Sequence, residues 1–159
     1  VQAMVQEYDD TQILLIGRRH VRSNNSWLHN SQRLVKGKSR CTLMLHPDTA
    51  RDYGIKDGQQ VKVTSRVGSV VIAAEVTDEL MPKVVSIPHG WGHGRKGVKQ
   101  KIAQAHAGVS VNDLTDDTLI DTLSGNAAVN GVPVQLEAIA PAALDLNTID
   151  SNPESSSAA

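Results

Sequence analysis

The sequence predicts a mainly β fold, a compact barrel of about six short strands accompanied by a short helix. Short apolar runs with strand-like alternation recur along the chain, and no strand–helix–strand repeat connects them. That pattern does not fit a doubly wound parallel sheet, which alternates strands with helices. Aromatic residues make up 3% of the chain and Phe is absent, so the core must consist of Val, Ile, Leu and Ala.

A length of 159 residues is typical of one domain with a substantial core. We predict that the domain spans residues 12–138, after a frayed segment at 1–11 and before a disordered tail at 139–159. The tail is rich in Ala, Ser, Asn and Pro. No apolar run approaches the roughly 20 residues of a bilayer-spanning helix, so we expect no membrane insertion.

The strands follow from runs of β-branched and aliphatic residues between turn signals. The first strand should end at Gly17, and a later glycine, Gly68, lies in the tight turn of a hairpin. A helix should begin after His46-Pro47 and end at Gly54, which suits left-handed backbone. The predicted strands are 13–16, 40–45, 61–65, 70–76, 84–88 and 132–136, and the predicted helix is 48–53.

The segment 17–30, with sequence GRRHVRSNNSWLHN, leaves the first strand and consists almost wholly of hydrogen-bond donors. Arginine side chains match phosphate oxygens two at a time, and one flat ring lies among them. A solvated turn would explain any single Arg or Asn here, but such a turn has no need to exclude acids. The segment therefore predicts a site for an anionic ligand that contains a ring.

The basic residues are concentrated in two windows that contain no Asp or Glu. The window between Asp10 and Asp48 holds seven of the sixteen Lys and Arg residues, and the window 83–112 holds five. The whole chain is nevertheless close to neutral, with a net charge of −1. Local positive fields in a balanced protein favour an anionic small ligand or an acidic partner over general nucleic-acid binding.

A glycine-rich stretch, PHGWGHG at 88–94, follows the strand 84–88. Its two histidines lie four apart, but three glycines prevent the helix that would bring them to one face, so we predict no metal site. Close approach of backbone to a ligand, with Trp91 as a stacking wall, fits the composition better. A surface loop with a half-buried Trp is the alternative.

Asn112 lies where the second basic window gives way to an acidic segment. Its amide could pair with both a donor and an acceptor on the edge of a heterocycle, or it could cap a helix or turn. Cys41 is the single cysteine, which excludes an internal disulfide and agrees with a reducing compartment such as the cytoplasm. Its apolar neighbours predict a buried structural thiol.

These pieces, in this order and spacing, resemble the C-terminal molybdopterin dinucleotide-binding domain of molybdenum and tungsten oxidoreductases, such as formate dehydrogenase, nitrate reductase and DMSO reductase. The resemblance covers about residues 12–138. It rests on GRRHVRSNNSWLHN, HPDTARDYGIKDGQQVKVTSRVGSV, IPHGWGHG, VNDLT and SGNAAVNGVPVQLE. It implies a six-stranded double-psi β-barrel, like that of aspartate decarboxylase, which binds molybdopterin guanine dinucleotide.

The resemblance also implies which residues contact the pterin and phosphates of that cofactor. The loop after the first strand contributes most of them, and the glycine-rich stretch and the Asn of VNDLT contribute the rest. One departure is Asn130, where many relatives carry a basic residue. The implied residues are Arg18, Arg19, Asn24, Asn25, Trp27, Leu28, His29, Asn30, His89, Gly90, Trp91 and Asn112.

The family's metal ligand and iron–sulfur cluster lie in earlier domains, so the resemblance implies no catalytic or metal-ligating residue here. We therefore expect a cofactor-binding domain that works with the remaining domains of a larger oxidoreductase or dehydrogenase. Two alternatives come from other classes. Gly68-Ser69 resembles the pair at which aspartate decarboxylases cleave themselves to form a pyruvoyl group, and the basic windows could bind nucleic acid or an acidic partner.

Overall fold

The computed structural model describes residues 11–140, which form a closed six-stranded barrel with three short helices. The predicted frayed segment before Thr11 and the predicted tail after residue 140 lie outside the described residues. The strands are β1 (Ile13–Arg18), β2 (Leu43–Leu45), β3 (Gln60–Thr64), β4 (Ser69–Val76), β5 (Val84–Pro88) and β6 (Val132–Ala138). The helices are α1 (Gln32–Val35), α2 (Pro47–Asp52) and α3 (Lys101–Ala105), with a 3-10 turn at Val111–Asp113.

The barrel closes in the order β1-β5-β2-β4-β3-β6, which confirms the predicted double-psi β-barrel class. Two of its strand pairs are parallel, β1 with β5 and β2 with β4, and the other pairs are antiparallel. Alternate residues of each strand face the interior, as in Leu43 and Leu45 of β2, so the core is aliphatic as the composition predicts.

The parallel pairing of β1 with β5 places the site. Arg18 and Pro88, the last residues of these strands, lie opposite each other in the ladder. Because parallel strands end at the same edge of a sheet, the polar loop after β1 and the glycine-rich stretch after β5 leave the same end of the barrel.

Most of the predicted elements differ from the observed ones by one to three residues at an end, and two of these differences bear on the site. The first strand does not end at Gly17 but continues through Arg18, and Gly17 donates its backbone N–H to Asn130 Oδ1 at 2.8 Å. The second strand is shorter than predicted and begins at Leu43. The reason is that the carbonyls of Arg40 and Thr42 accept hydrogen bonds from the Arg18 guanidinium, at 3.3 and 2.8 Å.

The predicted helix after His46 is confirmed as α2. His46 Nδ1 accepts a hydrogen bond from the Asp48 N–H at 3.1 Å, and Gly54 follows the helix with a positive φ of 63°. The hairpin between β3 and β4 is also confirmed, with the Ser65 N–H donating to the Gly68 carbonyl at 2.8 Å.

Helices α1 and α3 and the 3-10 turn were not predicted. Neither α1 nor α3 has a side-chain hydrogen bond from its own N-cap residue. Without that local signal, four or five residues give no helical periodicity that a sequence analysis could detect.

Candidate cofactor-binding site

The loop after β1 is a chain of tight turns whose conformation depends on its asparagines. Asn24 and Asn25 both adopt left-handed backbone, with φ of 42° and 63°. Asparagine tolerates this conformation better than other side chains that carry a Cβ. The buried Ser23 fixes the turn, because its hydroxyl donates to the His20 carbonyl at 2.9 Å. The asparagines therefore have a backbone role in shaping the loop.

Gly90 brings this loop into contact with the glycine-rich stretch. A Cβ built at position 90 would lie 2.1 Å from the Asn25 carbonyl oxygen, and Gly90 has a φ of 88°. No side chain fits that gap, so glycine is required both by its conformation and by the approach of the backbone. Two segments predicted separately to contact one ligand thus pack directly on each other.

A pair of histidines, the buried His29 and the partly buried His93, lies behind this junction. His29 Nδ1 is 2.7 Å from His93 Nε2, and the His29 ring centroid is 4.1 Å from that of Trp91. Burial, reinforced by the neighbouring His93, lowers the pKa of His29 to about 4, although the Gly90 backbone opposes the shift. Burial also lowers the pKa of His93. Both rings are therefore neutral near pH 7, and one donates to the other.

Several buried polar atoms around this junction have no hydrogen-bond partner within residues 11–140. They are His29 Nε2, His89 Nε2 and Trp91 Nε1. Buried polar atoms are almost always paired in folded proteins, so three such atoms together are a sign of a site for a ligand or solvent.

A cleft of about 200 Å³ opens beside the junction, at the end of the barrel. It brings together three of the predicted site residues, Arg19, His89 and Asn112, which are 70 residues or more apart in two of the three pairings. The side chains of Arg19 and Asn112 are exposed and make no hydrogen bond to another described residue. Gly17, Val111, Thr115, Val129 and Asn130 complete its lining.

Arg18 lies elsewhere, although it is adjacent to Arg19 in sequence. Its guanidinium is half-buried on the outer face of the barrel, where it donates to the carbonyl of Ser86 and to both the carbonyl and hydroxyl of Thr42, the latter two at 2.8 Å each. Successive residues of a strand face opposite sides, so Arg18 and Arg19 serve different surfaces. The structure gives the Arg18 side chain a role in holding β1 to its neighbours.

The remaining predicted residues divide between the surface and structural contacts. Trp27 is 84% exposed, so its ring is free to contact a ligand. Leu28 is half-buried, and Asn30 Oδ1 accepts from the N–H groups of Ile102 and Ala103 at 3.1 and 3.4 Å, thereby capping α3. Trp91, for which we predicted a stacking role, packs against His29 and the core.

Three polar residues that line or support the site were not predicted. Asn130, for which the resemblance gave no clear role, both lines the cleft and holds Gly17. Thr115 lies in the cleft, and His93 supports His29. VNDLT contains Thr115 and HGWGH contains His93, so the motifs marked the correct segments without identifying which side chains contact which.

Cys41 is a buried structural thiol, as predicted from its neighbours. Burial raises its pKa, and its sulfur accepts a hydrogen bond from the Val109 N–H at 3.3 Å. A Cβ at Gly108 would lie 2.7 Å from this sulfur, so the thiol is closely packed. Among residues 11–140 there is no group of three or more His, Cys, Asp or Glu side chains that could hold a metal ion.

The fold and the cleft together define a class, the double-psi barrels with a polar cleft at one end. Residues 13–133 match the profile of the family described as "Molydopterin dinucleotide binding domain". The chain therefore belongs to this family of molybdopterin dinucleotide-binding domains, and its cofactor is molybdopterin guanine dinucleotide. Partnerless polar atoms beside an arginine-containing cleft fit such a ligand, which carries phosphates and a hydrogen-bonding heterocycle.

Individual relatives agree with this assignment. The chain is 30% identical over 124 residues to a tetrathionate reductase subunit of Salmonella typhimurium, covering 67% of this chain and 12% of that protein. It is 30% identical over 114 residues to the molybdopterin-containing subunit of the arsenate respiratory reductase of Chrysiogenes arsenatis, covering 69% and 13%. Acetylene hydratase from Pelobacter acetylenicus shares the fold, with a TM-score of 0.66 at 19% identity over 79% of this chain and 18% of that one.

Proposed function

We propose that this chain holds the pterin and phosphates of molybdopterin guanine dinucleotide on behalf of a larger molybdenum- or tungsten-dependent oxidoreductase. The chain spans only 12% and 13% of the two reductase subunits described above. The proposal therefore assigns the reacting metal centre, and the domains that enclose it, to the remainder of such an enzyme.

The observation that carries the proposal is the contact between Gly90 and the Asn25 carbonyl. It fixes the loop after β1 against the glycine-rich stretch, next to the cleft that contains Arg19, His89 and Asn112. A rigid junction positions ligand-binding groups without an ordering cost at the moment of binding.

Within the cleft we assign different chemistry to each side chain. Arg19 provides the charge and forked donors that a phosphate requires. Asn112 has an uncommitted amide, which can donate to and accept from the edge of a pterin. His89 contributes its buried Nε2, which lacks a protein partner within the described part of the chain.

The loop residues take part through backbone and surface. Asn24 and Asn25 set the left-handed turns that shape the loop, and the Asn24 N–H donates to the His20 carbonyl at 3.2 Å. The exposed ring of Trp27 is available to pack against the ligand or a neighbouring domain, with Leu28 beside it. We assign His29, Asn30 and Trp91 to supporting this loop, and Arg18 to the barrel wall.

Redox chemistry is supplied by the bound metal and its dithiolene sulfurs, while the protein positions them. The chain's own task is to bind and orient the cofactor. We expect no turnover from the isolated chain, because we assign it no residue that would ligate the metal or react with a substrate.

The decarboxylase alternative is not favoured. Gly68 lies in the hairpin turn, and a Cβ there would be 2.4 Å from the Asp113 carbonyl oxygen, so glycine is needed for packing. No helix within residues 11–140 is long and apolar enough to cross a membrane. A reducing compartment such as the cytoplasm remains part of the proposal, supported by the buried thiol of Cys41.

The proposal can be tested with two fragments of the cofactor, GDP and a reduced pterin, titrated into the ¹⁵N-labelled chain. Both should shift amides of residues 17–30, 89–93 and 111–115. Arg19→Ala should weaken GDP binding, and Asn112→Ala should weaken pterin binding. Arg33→Ala removes an exposed arginine outside the cleft and is the control. Shifts that avoid all three segments would refute the assignment of the site.

A further inference from the structure

A second concave surface, distinct from the cleft, lies on the outer wall of the barrel. We call it the basic hollow. It has a volume of about 310 Å³, and its lining comes from the end of β1, the segment before β2, and the outward faces of β2 and β4. It is lined by Arg18, His20, Arg22, Lys36, Gly37, Lys38, Ser39, Arg40, Met44 and Glu75.

Strand geometry separates the hollow from the cleft. Ile13 and Leu15 face the barrel interior, and Gly17 and Arg19 continue that side into the cleft. The side chain of Arg18 points to the opposite side of β1. Met44 on β2 and Glu75 on β4 each follow a buried residue, so their side chains also face outward. The cleft and the hollow both border the end of β1, but different residues line each of them.

The base of the hollow contains two fixed guanidinium groups. Arg18 is held by acceptors on Ser86 and Thr42, and Arg40 donates to the carbonyls of Leu34 and Lys36 at 3.0 and 3.3 Å. A guanidinium has more N–H donors than Arg40 uses in these contacts. Such groups can receive an anion with little further loss of side-chain freedom.

The rim of the hollow carries Arg22, Lys36 and Lys38, all of them exposed. None forms an ion pair with a described residue, whereas Arg51, Lys62, Arg66 and Arg95 on other surfaces each pair with a carboxylate. Three exposed cations without a carboxylate partner among the described residues thus border this one concavity.

The electrostatic balance of the lining is strongly positive. Five Lys and Arg side chains face one carboxylate, that of Glu75, giving a net charge of +4. Glu75 is itself engaged, accepting from the Thr42 hydroxyl at 2.5 Å. Partial burial lowers the pKa of His20, and the positive charges of the nearby Arg40, Arg22 and Arg18 lower it further. The direction of this shift agrees with a positive field in the hollow.

We propose that the basic hollow binds a compact polyanion, of the chemical class of an inorganic diphosphate. Several converging cations require a multiply charged ligand, and the volume of about 310 Å³ suits a small one. The described lining contains no Phe, Tyr or Trp ring against which a base or pterin could stack. The ligand is therefore recognised by its charge, and the proposal does not depend on the cofactor assignment for the cleft.

The test is an NMR titration of the ¹⁵N-labelled 159-residue chain with sodium pyrophosphate at constant ionic strength, with chloride as the reference anion. The test variant is Arg22→Ala/Lys38→Ala, which removes rim charges whose side chains form no hydrogen bond or ion pair with another described residue. The matched control, Lys56→Ala/Lys99→Ala, removes two exposed cations outside the hollow that likewise form no ion pair with a described residue. Arg19→Ala reports on the cleft.

We expect pyrophosphate to shift amides of residues 20–22 and 36–40, with an affinity that falls at least about tenfold in the rim variant. The control and Arg19→Ala should each change it by less than about twofold. An equal loss of pyrophosphate affinity in the control variant would indicate that the anion responds to diffuse charge. A loss confined to Arg19→Ala would show that the anion binds in the cleft. A Glu-rich peptide that shifts these amides where pyrophosphate does not would indicate a protein-docking surface. Each of these three results overturns the proposal.

Discussion

His29 Nδ1 and His93 Nε2 lie 2.7 Å apart and join the loop after β1 to the loop after β5. The contact spans 64 positions of sequence and is partly buried at the junction that supports the cleft. Because burial disfavours the protonated rings, and protonating both would leave no acceptor nitrogen between them, the stability of the junction depends on pH.

We predict that the protein loses stability as the pH falls from about 6.5 to about 4. The ordinary pKa of 6.5 applies to His29 in the unfolded chain, and burial lowers it to about 4 in the folded protein. Between these values the unfolded state binds more protons, so acid favours unfolding, by roughly 3 kcal/mol in total for this one group. Urea unfolding at pH 7, 5.5 and 4.5 measures the effect.

His29→Asn is the matched variant for this prediction, because it retains a polar atom near the position of Nδ1 but cannot titrate. Its free energy of unfolding should vary less with pH than that of the wild type, by the amount assigned to His29. An unchanged pH dependence in His29→Asn would show that the proton uptake belongs to other groups.

A second prediction separates Arg18 from Arg19. Arg18→Ala should lower the free energy of unfolding by about 2–4 kcal/mol, since it leaves the carbonyl groups of Ser86 and Thr42 without their charged donor. Arg19→Ala should change stability by less than about 0.5 kcal/mol, as expected for an exposed side chain. It should weaken GDP binding instead. Equal destabilisation by the two substitutions would contradict the separation.

The contrast between these arginines shows what the sequence could predict. From the sequence alone we assigned both to the anion, because adjacent arginines after a strand are chemically equivalent in a motif. The structure shows that β1 continues through Arg18, past the glycine at which we predicted that it ends, and the alternation of side chains along the strand then places Arg18 on the outer wall. The boundary depends on pairing with β5, a non-local contact.

Most of the fold could be predicted from local sequence signals. β5 was predicted at its observed bounds, and α2 and the β3–β4 hairpin carry their own cap and turn residues. By contrast, α3 is capped by Asn30 from more than seventy positions away. The site shows the same division between local and non-local information. The motifs identified the correct segments, but the position of Asn130 in the cleft depends on closure of the barrel.

A third prediction concerns the approach of Gly90 to Asn25. Gly90→Ala should destabilise the protein by about 2–4 kcal/mol, since it combines a left-handed conformation with a backbone clash. Gly97→Ala is the matched control, because Gly97 has a similar φ of 96° but nothing within 4 Å of its added Cβ. It should cost only about 1 kcal/mol. Similar losses from the two substitutions would show that the contact at position 90 is not tightly constrained.

The central claim is that this chain binds its dinucleotide in the cleft between the two loops. The most direct measurement is a titration of the chain with metal-free molybdopterin guanine dinucleotide, followed by pterin fluorescence. We predict saturable binding that Arg19→Ala/Asn112→Ala weakens by about 10- to 100-fold, through the loss of charge-assisted and amide hydrogen bonds. Arg22→Ala/Lys38→Ala should leave it within about threefold of the wild type. Binding that is insensitive to the cleft variant but lost in the rim variant would contradict the account.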